Sequence, residues 1–238
     1  MIEHVVPLAQ LKIGKPGGSD SCVANNGFCP DWIAHNLDRY WTPLLQHVYL
    51  TVAPVAIGFV ISLVLAIIAH RRRWLTGPII TITGIFFAIP SVAAFFLLQP
   101  ITGLGYTTAM VALVSYTLLI IFRNITTGLR GVPSEAVDAA RGQGLTDRQV
   151  LYRVELPLAI PEIMAGLRVA VSTTVGLAAL AVFAGAGGLG AQILRGDDKF
   201  FKSNVVVAGG LCVLLAAVLD LLILGIQRLM TPWQRASA

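Results

Sequence analysis

The chain has 238 residues, 56% of them hydrophobic and only 12% charged, with a mean hydropathy of +0.78 and a formal net charge of +5. Its apolar residues fall in long runs rather than in short strands or amphipathic stripes, which excludes an ordinary soluble domain and requires lipid as a covering. The positive balance does not point to nucleic acid, because the basic residues sit mainly between the apolar runs, where they serve as topology signals.

The opening MIEHVVPLAQLKIGKPGGSD lacks a basic start, an apolar stretch and a small-residue cleavage site, so the first span is expected to target the chain. Cys22 and Cys29 bracket the polar, turn-forming VANNGF. A small disulfide loop is expected there if the tail is extracytoplasmic, two free thiols being the alternative. Five apolar stretches follow at about 44–69, 75–98, 107–122, 160–183 and 204–226, each near the roughly 20 residues that cross hydrocarbon; the third is the shortest. Pro90 and Ser91 interrupt the second, either as a lined break or as a tolerated kink. Phe86, Phe87, Phe95, Phe96, Tyr106 and Tyr116 offer cation-binding faces or ordinary packing.

Within the fourth stretch, Ser172, Thr173 and Thr174 beside Gly176 either hydrogen-bond a solute or tie this span to a neighbour. Arg168 and Asp220 are ionisable residues inside apolar runs, and fall at similar depths if consecutive spans are antiparallel neighbours. They are expected to line a pathway or gate, or to form a structural pair between helices. Glu162 is expected at the interface. Cys212 reads as a small packing residue, and the four scattered histidines as surface or interfacial groups without metal-ligand spacing. No phosphate-binding Gly, four residues, Gly-Lys-Ser/Thr pattern occurs, and no catalytic or metal residue is expected.

Orientation follows from the basic residues. Arg71, Arg72 and Arg73, five arginines between 123 and 153, and Arg228 and Arg235 fall on one side by parity. Lys12, Lys15, Arg39, Arg195, Lys199 and Lys202 fall on the other. The first side is richer and its charges hug the spans, so the N-terminus is expected outside and the C-terminus inside. The fold class is thus all-α, a polytopic membrane protein of about five transmembrane helices. An extracytoplasmic tail covers 1–43, a membrane domain 44–227 with a cytoplasmic loop at 123–159, and a cytoplasmic tail 228–238.

That loop is the longest polar connection. Pro133 and Ser134 ahead of EAVDAAR predict a helix with Glu135 and Asp138 near its positive end, stopped by Gly142 and Gly144. Thr146 or Asp147 caps a second short helix, which Pro157 is expected to end. Asp138-Ala139-Ala140, three residues, Gly144, nine residues, then Val154, Glu155, Leu156 and Pro157 closely resembles the signature of binding-protein-dependent ABC importer permeases. Asp138 stands where that signature has Glu, and Val154 where it has Ile. HRRR, FAIPSVAAFFLL, RNITTGLRGV, IMAGLRVA and FAGAGGLG are similar to permeases for quaternary amines such as glycine betaine, carnitine and choline.

The resemblance implies a bacterial inner-membrane permease with a methionine-importer-like core, working with a second copy or a similar permease. It implies that the loop carrying Glu135, Asp138, Ala139, Ala140, Gly142, Gly144, Leu156 and Pro157 docks on separate ABC ATPase subunits, which hold ATP and Mg. It further implies that an extracytoplasmic solute-binding protein delivers a small solute, a quaternary-amine osmoprotectant such as glycine betaine, carnitine or choline, while this chain binds no cofactor. The alternatives are an importer for another small solute, such as an amino acid, and an ATP-independent channel or secondary transporter.

Overall fold

Apolar runs of this length satisfy their own backbone in hydrocarbon only as helices or as a closed barrel. The computed structural model, which describes residues 28–198 and 201–235, takes the helical solution, with no strand among the described residues. Its helices are α1 Pro30–His35, α2 Trp41–Arg71, α3 Thr76–Ala88, α4 Ser91–Thr102, α5 Tyr106–Arg130, α6 Ser134–Gly142, α7 Asp147–Val150, α8 Leu156–Ala179, α9 Leu189–Asp198 and α10 Lys202–Met230. Among the described residues, the stretches Leu37–Arg71, Tyr106–Arg130, Asp147–Ala184 and Lys202–Met230 are long and apolar enough to span a bilayer, and a bent pair, Arg73–Ala88 with Ser91–Thr102, makes a fifth when counted as one.

One element follows the interruption expected at Pro90 and two differ from the sequence expectation. The second span is not continuous: α3 and α4 meet at 97°. Proline disfavours helical geometry at the residue before it, and Ile89 is extended (φ −67°, ψ 128°). The Tyr116 hydroxyl on α5 donates to the Ile89 carbonyl at this break. The third span is a full 25 residues rather than a short one. Past Phe122 it becomes amphipathic, with Arg123, Thr127 and Arg130 exposed and Ile125 and Leu129 buried, so hydropathy marks only its apolar half.

Pro157, finally, ends nothing. Residues Asp147–Ala184 form one helical rod of 38 residues. Its turn Leu151–Glu155 widens into a π-helix in which the Leu156 N–H donates to the Leu151 carbonyl. Pro157 then falls in the first turn of α8, where the wide turn behind it accommodates a ring with no N–H to donate.

The helices run between two poles. At one, His70 on α2 meets Glu155 (Nε2 to Oε2, 3.0 Å), and Arg130 Nη2 donates to Thr76 Oγ1 (3.1 Å). At the other, the Tyr40 hydroxyl donates to Asn204 Oδ1 (2.6 Å), the Cys29 N–H to Ser203 Oγ (2.8 Å), and the Gly105 N–H to the Ala184 carbonyl (2.6 Å). Because α3 begins at the first pole and α4 ends at the second, the bent pair makes a single crossing. Phe122, Ile125, Leu151 and Ile163 centre one apolar core, and Leu50, Phe95, Leu113 and Ala178 the other. Helices α5 and α8 lie at the middle, packed on each other and on α2, with α10 against α8.

Beyond α8 the chain turns back and α9 seats directly against it, which only a residue without a side chain permits. A Cβ on Gly190 would overlap the Ala179 carbonyl and stand 2.9 Å from its Cα. Gly190→Ala is therefore expected to cost ~1–3 kcal/mol of overpacking and to lower the melting temperature of the purified protein. Gly176→Ala, with nothing within 4 Å of its Cβ, serves as the control; equal melting of both variants would contradict the packing.

Candidate functional site: a polar helical loop and a glycine-rich segment at the opposite pole

The loop between α5 and α8 is built from two short helices and a left-handed turn. Helix α6 ends in a Schellman motif: Leu145 N–H donates to the Ala140 carbonyl (3.2 Å) and Gly144 N–H to the Arg141 carbonyl (2.9 Å). Gly144 takes φ +85°, which a side chain would strain, so this glycine sets the angle between α6 and α7. Gly142 is the last helical residue rather than the stop. The Thr146 N–H donates to Gln149 Oε1 (2.8 Å), half of a capping box that starts α7. Arg141 Nη2 reaches Asp147 Oδ1 (3.4 Å) across the turn, a solvent-exposed pair that contributes little to stability.

Glu135, Asp138, Ala139, Gly142 and Gly144 are exposed, whereas Ala140 is buried and Leu156 and Pro157 are half-buried. The outward surface of α6 is thus narrower than the Ala139-Ala140 pair suggests: Ala139 is presented and Ala140 packs inward. Behind α6 lies a cleft of ≈ 940 Å³ lined by residues that include His70, Arg71, Arg130, Arg141, Asp147 and Glu155. The loop is held to the body through its root, the π-turn, rather than along its length.

At the opposite pole the rod opens. Gly185, Gly187 and Gly188 take φ of +77°, +79° and +77°, and the backbone groups they release are met by side chains of α2. The Gly188 N–H donates to Gln46 Oε1 (3.1 Å) and the Leu189 N–H to His47 Nδ1 (3.3 Å). Nδ1 therefore accepts, and Nε2 carries the proton it donates to the Val175 carbonyl (3.0 Å). His47 is fully buried, contrary to its expected surface position; its location inside a span was the signal in the sequence. His70, half-buried at the end of α2, pairs with Glu155.

Midway between the poles, Arg168 Nε donates to Asp220 Oδ1 (2.7 Å) and Nη2 to Oδ2 (2.8 Å), a bidentate fork joining α8 to α10. Thr174 is buried and bonds the Ala170 carbonyl of its own helix (2.7 Å), tying no second span. Ser172 is exposed and Thr173 half-buried. Pro90 is exposed and Ser91 half-buried at the break, where Phe87 and Tyr116 meet edge-on at 5.9 Å. Cys29 is buried, Cys22 lies outside the described residues, and Cys212 is a free, half-buried thiol. Among the described residues no cluster of three His, Cys, Asp or Glu side chains is arranged to hold a metal.

Residues 58–236 match the family model described as "Binding-protein-dependent transport system inner membrane component". The chain is 35% identical over 188 residues to the glycine betaine/carnitine/choline transport system permease protein OpuCD of Bacillus subtilis, covering 79% of this chain and 82% of that one. It is 37% identical over 193 residues to the osmoprotectant import permease protein OsmW of Salmonella typhimurium, covering 79% and 89%. A solved structure titled as an inward-facing conformation of the MetNI methionine ABC transporter shares the fold, at TM-score 0.71 and 23% identity, covering 84% of this chain and 98% of that one.

Proposed function

The chain belongs to the inner-membrane components of binding-protein-dependent transport systems, and from that premise we propose that it is the permease subunit of an ATP-driven importer for quaternary-amine osmoprotectants. The observation that carries this is the docking loop. An exposed helix with Ala139 at its crest, a glycine-fixed turn and a rigid rod behind it form the Asp-Ala-Ala, Gly, Leu-Pro pattern in three dimensions. The substrate class is supported by the relatives, named for glycine betaine, carnitine, choline and osmoprotectant import.

In this reading, separate ABC ATPase subunits close on ATP with Mg and push on α6. The π-turn passes that displacement into α8. Its far end carries the glycine-rich segment held by Gln46 and His47, where an extracytoplasmic binding protein delivers solute. A second copy, or a similar permease, supplies the other half of the path. The pole with the docking loop faces the cytoplasm, as its arginines require, and the N-terminal tail lies outside with Cys22 joined to Cys29.

Two outcomes follow. Ala139→Glu, which adds a charge at the crest of α6, is expected to cut solute-stimulated ATP hydrolysis by the purified complex at least about tenfold, as a docking hot spot should, with membrane insertion unchanged; wild-type stimulation would contradict docking through this face. A membrane-impermeant thiol reagent applied to intact cells is expected to reach Cys22 and Cys29 only after reduction. Labelling that requires lysis would reverse the orientation, and labelling without reduction would remove the disulfide.

A further inference from the structure

The exposed surfaces of the spans are of two kinds. On α2 and α10 they are large and apolar: Val60, Val64, Val213, Leu214, Leu221 and Leu222, a surface suited to lipid. The central rod is different. The residues of α8 that face outward follow helical spacing through Leu158, Glu162, Val169, Ser172 and Gly176, with nothing larger than valine past Glu162, and no atom lies within 4 Å of a Cβ built on Gly176. The opposite side of the same helix, with Ile163, Ala170, Val171 and Val175, is buried. A central helix with one packed side and an open side that narrows to Val169, Ser172 and Gly176 leaves a shallow channel there rather than a bulky apolar surface for hydrocarbon.

The Arg168–Asp220 pair sits at the edge of this stripe. Arg168 lies about 18 Å along α8 from Leu156 and Asp220 about 15 Å before the end of α10, at 1.5 Å per residue, so both are deep within the spans. Their side chains retain 33% and 27% of their exposure. At that depth an ionised group turned to lipid costs on the order of 3 kcal/mol on insertion scales, so the open side of the pair must meet water or protein. The fork engages Nε and Nη2 with the two carboxylate oxygens, leaving Nη1 and a further lone pair on each oxygen for a third party.

We infer that the Val169, Ser172 and Gly176 face of α8 walls a water-filled solute path. The Arg168–Asp220 pair is its charge station, with Asp220 attracting a quaternary ammonium group and Arg168 Nη1 receiving the carboxylate of a zwitterionic solute. The identity of the solute rests on the importer reading above; the presence of the path does not. A neutral pair with both signs displayed suits a zwitterion, since it attracts each end of the solute without a net charge that would trap it.

The test uses the assembled importer in lipid nanodiscs with Cys212→Ala as background. Ser172→Cys and, on the lipid-facing side, Leu221→Cys are each treated with 2-(trimethylammonium)ethyl methanethiosulfonate, itself a quaternary ammonium, and with its neutral hydroxyethyl counterpart. Both reagents are expected to modify Ser172→Cys at least about tenfold faster than Leu221→Cys. Adding Asp220→Asn should slow the cationic reagent by about tenfold and leave the neutral one unchanged, the scale of local electrostatic concentration in a confined site, while Asp220→Glu should preserve the rate. Equal, slow labelling at the two positions overturns the path, because the face is then sealed by lipid or by the second copy. A cationic rate indifferent to Asp220→Asn overturns the station. Should Asp220→Asn not assemble, protection of Ser172→Cys from the neutral reagent by glycine betaine decides the same point, its absence in an importer that takes up glycine betaine contradicting the station. An importer that takes up no quaternary amine fails the functional reading instead, and the relative labelling of Ser172→Cys and Leu221→Cys is read independently of uptake.

Discussion

Backbone polar groups that leave a helix inside hydrocarbon must find a partner, and the whole arrangement follows from where this chain meets that demand. It breaks a span at Ile89–Pro90 and finishes another in the glycines after Ala184. At the first break the Tyr116 hydroxyl serves the Ile89 carbonyl. At the second, Gln46, His47 and the Gly105 N–H serve Gly188, Leu189 and Ala184. Each irregular segment is therefore fastened to a neighbouring helix, so a displacement of that helix must carry the segment with it or leave a polar group unpaired.

The helical rod Asp147–Ala184 connects these fixed points to the polar loop that carries α6. It starts at the turn set by Gly144, passes the Glu155–His70 contact, crosses α10 at the Arg168–Asp220 fork and ends beneath the glycine-rich segment. A continuous helix transmits displacement along its axis with little loss, whereas a π-turn near its root is the place where direction can change. Under the proposed importer reading, alternating access would be a rigid-body movement between packed states, with force entering at α6 and the glycine-rich segment held to α2 by Gln46 and His47.

Much of this was legible in the sequence because hydropathy and motif spacing report different things. Apolar runs located the four long helices and the bent pair, and the Asp138 to Pro157 spacing matches two short helices joined at the left-handed Gly144. Depth alone brought Arg168 and Asp220 to the same level, where the structure pairs them. What hydropathy does not report is amphipathic continuation, so α5 extends to Arg130 beyond its apolar half. Proline misleads in both directions: Pro90 produces a 97° bend, while Pro157 sits in an unbroken rod because the π-turn before it accommodates the ring. His47 and Gln46 carry no motif. Their role depends on backbone groups released 142 residues later in the chain, a relation only the tertiary structure brings together.

The central claim is that this chain forms an ATP-gated path whose movement enters through α6. It is tested most directly by reconstituting the permease with its ATPase and binding protein in proteoliposomes and measuring uptake of labelled glycine betaine. Uptake is expected to require ATP inside the vesicles together with all three components, and to stop when the ATPase is omitted. Uptake by the permease alone, driven by the solute or an ion gradient without ATP, would contradict it.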